Sequence, residues 1–517
     1  MLRLAYRPAP DWPPLAWLAR LPARGAPDDS TVLVTHGSRV ETRDDWFGEI
    51  VWDGDFGKAD FDTTEVVFGS GARVRREGSE LLFVTAASTV DRIHSIESGG
   101  HLWVSNSLAC LLQQVGGAPD PIDRTWFDRM GSCLKGIRDY DRHIPTSAGP
   151  VRLTYHYNLA WREGTLEEIP KPDAVNGFPG YHDYIDFLRQ AIGRLAPNAA
   201  DARRAFPVPL LGTISGGFDS PMVAALAREA ADLREAFCFR RPDGSDSGEE
   251  IARVLGLDVT YFGREDWRED PNMPEVPFIA ADAKGEDVFT HGAAGLVRGR
   301  TMLSGHYGGI ILNRNWSYPN DQIERHDRSG TALLEWRLIT GCIHASIFFL
   351  GARHGPDVLR ISTSPEMQSW SLGGWYDRPI PRRLLEEAGV PRQAFGITKR
   401  AGSILFIRPG INMTPAASRD FTGWLRQHRG AFLRSGRIPP TLKRPVDPVV
   451  GHAATLSAAS LLWARGQLPR HRGGKLERLA ARLRERGRRD PLFDYAFPWA
   501  IERLKRRYPP VPEASAA

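Results

Sequence analysis

The sequence predicts an α/β protein: an N-terminal α+β layered domain, a doubly wound parallel sheet, and a helical C-terminal extension. Three observations predict it. Residues 1–165 hold short β-branched and aromatic runs cut by Gly, Asp and Asn, as strands and turns do. From 185 to 415 apolar strand-like runs alternate with helical spacing, the pattern of a parallel sheet. From 416 to 517 the chain reads as helical and basic, with 21 Lys and Arg against 8 Asp and Glu. A chain of 517 residues exceeds one ordinary core, so more than one domain is expected.

In chain order, TVLVTHGS, GEIVWDGDF, TEVVFGSGARVRR, ELLFVTAAST, HLWVSNS and VRLTYHYNLAW read as strands. SLACLLQQV, after the fifth of them, reads as a short helix, and a Pro- and Gly-rich joint covers residues 167–184. YIDFLRQAIGRLA has helical spacing and VPLLGTI reads as a buried strand. SPMVAALAREAADL is a helix with Pro221 in its first turn, where the missing N–H has no partner to lose. EAFCFR, GEEIARVLG and DVTYFG continue as strand, helix and strand, and GRTMLSGHYGG is a strand running into a glycine loop. KLERLAARLRERGRR is the clearest C-terminal helix.

Apolar content of 42% and charged content of 25% are those of a globular chain. The formal charge of +5 is uneven: +13 after residue 415 and −8 before it. A solvated, arginine-rich helical face is the first reading of that asymmetry and an acidic partner the second, and nucleic acid is not expected as that partner. Cys110, Cys133, Cys238 and Cys342 lie far apart with no CxxC pair, excluding the usual zinc spacing and a dense disulfide framework. Prolines and Asp11 interrupt the N-terminal stretch before a signal-peptide core forms. No run approaches the roughly 20 apolar residues of a membrane span. The expectation is a cytoplasmic protein.

The stretch TISGGFDSPM (213–222) puts a glycine loop between a strand and a helix. That arrangement makes an anion site, because amides of the first helical turn point outward and aligned peptide dipoles add about half a positive charge. Gly216 and Gly217 remove the Cβ atoms that block close approach, and Ser215 and Ser220 can donate hydroxyl hydrogen bonds. Asp219 beside phosphate calls for an intervening divalent cation, hence Mg²⁺ carried by the same nucleotide. No GxxxxGK[ST] occurs, and GxGxxG does not fit here.

SGGFDS resembles the PP-loop of ATP pyrophosphatases, in the Ser-Gly-Gly-x-Asp-Ser form of asparagine synthetase-like enzymes. AFCFRRPDGSDSGEEIARVLGLDVTYF (236–262) is similar to that family's second strand, acidic loop and helix, and MLSGHYGGIILN (302–313) to the loop facing the phosphates and reacting carboxylate. WDGDFGKADF, LLFVTAASTVDRIHS and HLWVSNSLACLL resemble its Ntn-type glutaminase domain in outline. The likeness covers roughly residues 45–410. It implies ATP and Mg²⁺ held by Ser215, Gly216, Gly217, Asp219, Ser220 and Gly305, with Asp219 as metal ligand and Phe239 in the strand beside adenine and ribose.

The departures matter as much. Glutamine-dependent members need an N-terminal cysteine nucleophile; here position 2 is Leu2 and no cysteine precedes Cys110. Residues 1–165 therefore read as a degenerate glutaminase-like scaffold, as in β-lactam synthetases and lasso-peptide cyclases, followed by the synthetase domain (185–415) and the basic helical region (416–517). The family's glutamate falls at His306 and its magnesium-binding aspartate near Gly309, with Asn313 or Asp321 as substitutes. His306 and Tyr307 invite a catalytic reading, since β-lactam synthetases use a tyrosine of this loop to deprotonate the amine. A histidine accepts protons near its reference pKa of about 6.5, and a packing role is the alternative. Lys399, with Arg400, is the candidate for the family's late lysine, which stabilises charge on the attacked phosphate. Asp246, Glu249 and Glu250 read as helix caps ahead of ribose ligands. Asp287 is a candidate to orient amine or metal, and Trp316, Tyr318 and Trp375 are pocket walls or core.

The expected activity is ATP-dependent carbon–nitrogen ligation without glutaminase activity. A substrate carboxylate is adenylated with release of pyrophosphate, then joined to an amine with release of AMP. The product expected is a macrolactam or other amide in a peptide or specialised metabolite, from a small-molecule or peptide substrate carrying carboxylate and amine. A precursor peptide or a protease is the partner class this brings. Asparagine formation from free ammonia, a tRNA-modifying PP-loop enzyme and a non-catalytic nucleotide-binding relative are the alternatives.

Overall fold

Successive side chains of a strand point to opposite faces, so short alternating strands can bury one face each. The computed structural model describes residues 2–22, 31–75, 79–241, 243–317, 319–398, 403–404, 413–435, 479 and 491–510. Its N-terminal strands are β1 (Arg3–Pro8), β2 (Trp17–Pro22), β3 (Thr31–His36), β4 (Glu41–Thr42), β5 (Trp46–Trp52), β6 (Val67–Arg75) and β7 (Glu80–Val84). They continue with β8 (Ile93–Ser98), β9 (His101–Ser105), β10 (His143–Ile144), β11 (Val151–Thr154), β12 (Asn158–Arg162) and β13 (Thr165–Ile169). One sheet runs β1-β3-β2-β9-β8-β11-β10, antiparallel except for β1 beside β3. The other runs β13-β12-β7-β6-β5-β4, antiparallel throughout.

The inner faces meet in one apolar layer, where Trp17, Val34 and Val104 pack with Phe47, Phe83 and Leu159. Helix α1 (Leu108–Gln114), capped by Ser107, joins a second core with Leu18 and Ile96. VRLTYHYNLAW is two strands rather than one, because the chain passes from one sheet to the other at Tyr155–Tyr157, with His156 at φ +62°. β1 and β2 lie where prolines had argued only against a signal peptide; those same prolines bound the strands.

Beyond the joint, α2 (Tyr181–Ala199) leads to β14 (Leu210–Thr213), α3 (Asp219–Ala231), β15 (Glu235–Arg240), α4 (Glu249–Leu255) and β16 (Asp258–Gly263). Then come α5 (Glu275–Asp282), β17 (Thr301–Ser304), α6 (Leu333–Thr340), β18 (Ile343–Ser346) and α7 (Pro379–Glu387). The five strands form a parallel sheet in the order β16-β15-β14-β17-β18. Helices α8 (Pro415–Gln427) and α9 (Ala496–Lys505) close the chain. The helix expected at KLERLAARLRERGRR lies, apart from Leu479, outside the described residues.

Helix α6 ties the two halves together. Arg337 donates to both oxygens of Glu49 (2.6 and 3.1 Å) and to Asp91 (3.0 Å), all buried. Glu335, two residues earlier, accepts from the Ser107 hydroxyl and the Leu108 amide at the start of α1. Helix α9 adds Phe497 stacked on Trp126 and Trp499 bonded to Asp420 of α8. No helix among the described residues is long and apolar enough to cross a membrane. All four cysteines are buried and unpaired.

Candidate active site

The chain leaves β14 and builds β15 and β16 on one side, then crosses to β17 and β18 on the other. The switch point between β14 and β17 is where a crevice opens at the carboxyl ends of such a sheet. The glycine loop follows β14, and Gly305–Gly308 follows β17. The two loops touch. A Cβ on Gly305 would lie 2.6 Å from the Asp219 carbonyl carbon and the Ser220 nitrogen, and one on Gly308 would lie 2.8 Å from Asp219 Oδ1. At Gly305 the backbone of the first turn of α3 occupies the space a side chain would take, and at Gly308 the Phe348 ring (2.6 Å) fills it together with the Asp219 carboxylate.

The loop is held from two more directions. The Gly216 amide donates to Asp246 Oδ1 (3.0 Å), and the Gly396 amide donates to the Gly216 carbonyl (2.9 Å). Asp246, at φ +67°, thus ties down the glycine loop and does not cap α4 as expected. Ser215 Oγ accepts from the Gly217 amide (3.2 Å). The amides of both glycines are therefore engaged inside the protein, whereas no side chain caps α3. An incoming anion would meet the first turn of the helix and the half-buried hydroxyls of Ser215 and Ser220.

Two side chains that sequence reasoning missed complete this wall. The Tyr376 ring lies tilted against Phe218, centroids 5.0 Å apart, and its hydroxyl would stand 3.8 Å from a Cβ on Gly217. Burial raises its hydroxyl pKa, and the charge of Asp219 raises it further. Arg378 donates to Asn313 Oδ1 (2.7 Å) and to the Gly309 carbonyl (2.8 Å), with its buried Nε unpartnered. Burial lowers its pKa while Asp219 opposes the shift, so a positive charge lies beside the one carboxylate of the loop. The only sequence signal was an arginine opening a Pro-started helix, which helix capping explains equally well. Lys399 and Arg400, expected in this role, lie outside the described residues.

The other candidates separate. Phe239 packs with Phe237, Phe262 and Phe289 at the ends of β15 and β16. Tyr307, at φ +74°, is buried, stacks on Phe349 at 4.7 Å and donates to the Glu324 carbonyl; its hydroxyl is a core group. Half-buried His306 has Nδ1 3.0 Å from Ser304 Oγ and 3.2 Å from His344 Nε2. Burial, then His344 and Arg325, push its pKa down to about 3, which leaves a weak proton acceptor at neutral pH. Asn313 is engaged with Arg378, and Asp321 pairs with Arg138 on the surface. Asp287 is buried and accepts from the Gly330 amide. Trp316 is core, Trp375 is exposed, and Tyr318 lies outside the described residues.

Among the described residues no three His, Cys, Asp or Glu side chains group as a metal cluster. A single loop carboxylate suits a magnesium ion that takes most of its shell from water and nucleotide phosphates. The first turn of α3, which no side chain caps, and the hydroxyls of Ser215 and Ser220 suit the phosphates of a nucleotide. No family model matches this sequence, and no curated protein matches it, so the likeness to asparagine synthetase-like enzymes rests on the motifs themselves.

Proposed function

We propose that the chain is an ATP-dependent carbon–nitrogen ligase, asparagine synthetase-like and without glutaminase activity, with a degenerate glutaminase-like N-terminal domain. The observation that carries this reading is the meeting of the glycine loop with Gly305 and Gly308 at the switch point of the parallel sheet. In the first half-reaction a substrate carboxylate oxygen bonds to the α-phosphorus and pyrophosphate leaves. In the second an amine nitrogen bonds to the acyl carbon, AMP leaves, and the amine proton passes to water.

Such chemistry asks for positioned charge more than for a covalent nucleophile. Ser215, Ser220 and the first turn of α3 hold the phosphates. Asp219 holds the magnesium, which when bound neutralises charge on the nucleotide. Arg378 lends positive charge beside the loop, the role expected of Lys399. All four cysteines are buried, so none offers an exposed thiolate for ammonia release, and the amine comes from the substrate itself, a peptide or small molecule with both acid and amine.

The test is ATP–pyrophosphate exchange and AMP release with candidate acids and amines. Asp219→Ala should lower both by about a hundredfold or more. Lack of ATP affinity in the wild type, or undiminished exchange in Asp219→Ala, overturns the proposal. ATP binding with no AMP from any substrate would favour a non-catalytic relative, and AMP formation driven by free ammonia would favour amidation.

A further inference from the structure

The carboxyl ends of β17 and β18 carry four polar side chains in one contact: Ser304, His306, His344 and Ser346. His344 Nε2 lies 2.8 Å from Ser304 Oγ, 3.1 Å from Ser346 Oγ and 3.2 Å from His306 Nδ1. Its other nitrogen, Nδ1, is buried with no partner among the described residues. A neutral imidazole bears one proton on one nitrogen. Placed on Nδ1, the proton of His344 would be a buried donor facing no acceptor; placed on Nε2, it faces three.

The proton therefore sits on His344 Nε2. Two ring nitrogens 3.2 Å apart tolerate one proton between them, since two N–H groups would point at each other. His306 Nδ1 must then be bare, and the proton of neutral His306 must sit on Nε2. That nitrogen, on the other edge of a half-buried ring, takes no partner from the described residues. The groups acting on His306 are His344, Arg325 and Asp327, and with burial they leave both rings neutral at physiological pH.

We infer that His306 presents Nε2–H to an oxygen of the bound substrate and works as a neutral hydrogen-bond donor, while His344 is the positioning residue that fixes its tautomer. The donor role rests on the ligase reading; the tautomer does not. His306 thus stabilises oxygen charge at the crevice and takes no proton from the amine.

The experiment is proton–nitrogen correlation spectroscopy on the full chain labelled with ¹⁵N-histidine, His306 being assigned by its absence in His306→Gln. The expected result is the Nε2–H form, without titration from about pH 5 to 8. An Nδ1–H form, or a titration midpoint in that range, overturns the inference. Where AMP formation is measurable, His306→Gln, whose amide donates but takes no proton, should exceed His306→Ala by about tenfold; equal activities overturn the donor role. Absence of ATP turnover sinks the ligase reading and with it the donor role, while the spectra still decide the tautomer.

Discussion

Gly305 is the residue on which the site closes, and its clearance makes a sharp prediction. In Gly305→Ala the new methyl group would meet the backbone of Asp219 and Ser220 at 2.6 Å, so β17 or the start of α3 must shift. The expected cost is about 1–3 kcal/mol, with ATP affinity lower by about tenfold or more. Gly423 is the control: it lies inside α8, and a Cβ there meets nothing within 4 Å. Gly423→Ala should gain about 0.5–1 kcal/mol and leave ATP binding alone. Calorimetric titration and chemical unfolding of both variants check the pair.

At the scale of elements, the strands and helices around the glycine loop were legible because each carried its own period. EAFCFR and DVTYFG coincide with β15 and β16. What the sequence could not disclose was how separate loops meet. Asp246 reaches Gly216 through a left-handed turn 30 residues away, and Tyr376 and Arg378 arrive from a segment more than 150 residues downstream. The packing of Tyr307 on Phe349 was hidden too, because a motif records order along the chain and not the side a ring faces. The grip of α6 was equally hidden, since its Glu and Arg look like ordinary surface residues of a helix. Arg337→Met would strand Glu49 and Asp91 in the interior and should cost about 3–5 kcal/mol in denaturant unfolding. A change below about 1 kcal/mol would mean the network is solvated and weak.

For the molecule as a whole, buried histidines set the response to acid. Burial is the first cause that pushes His156, His306 and His344 down to about 3. The unfolded chain takes up those protons near pH 6.5 and the folded one does not, so their stabilising share is complete above pH 6.5 and drains away toward pH 3. Buried carboxyls such as Glu49 and Glu335, whose pKa is raised, act in the opposite sense. A comparison of wild type with His156→Asn isolates one group, and asparagine tolerates the left-handed backbone at that position. Between pH 6 and 4 the wild type should lose about 1.4 kcal/mol per pH unit relative to the variant. Parallel acid profiles would contradict this.

The clasp between α6 and the N-terminal sheets also bears on truncation. A gene fragment opening at the joint would encode a polypeptide whose Arg337 has lost Glu49 and Asp91 and whose Glu335 has lost the start of α1. The N-terminal sheets thus act as a permanent internal chaperone for the parallel-sheet half, supplying the partners its buried charges need.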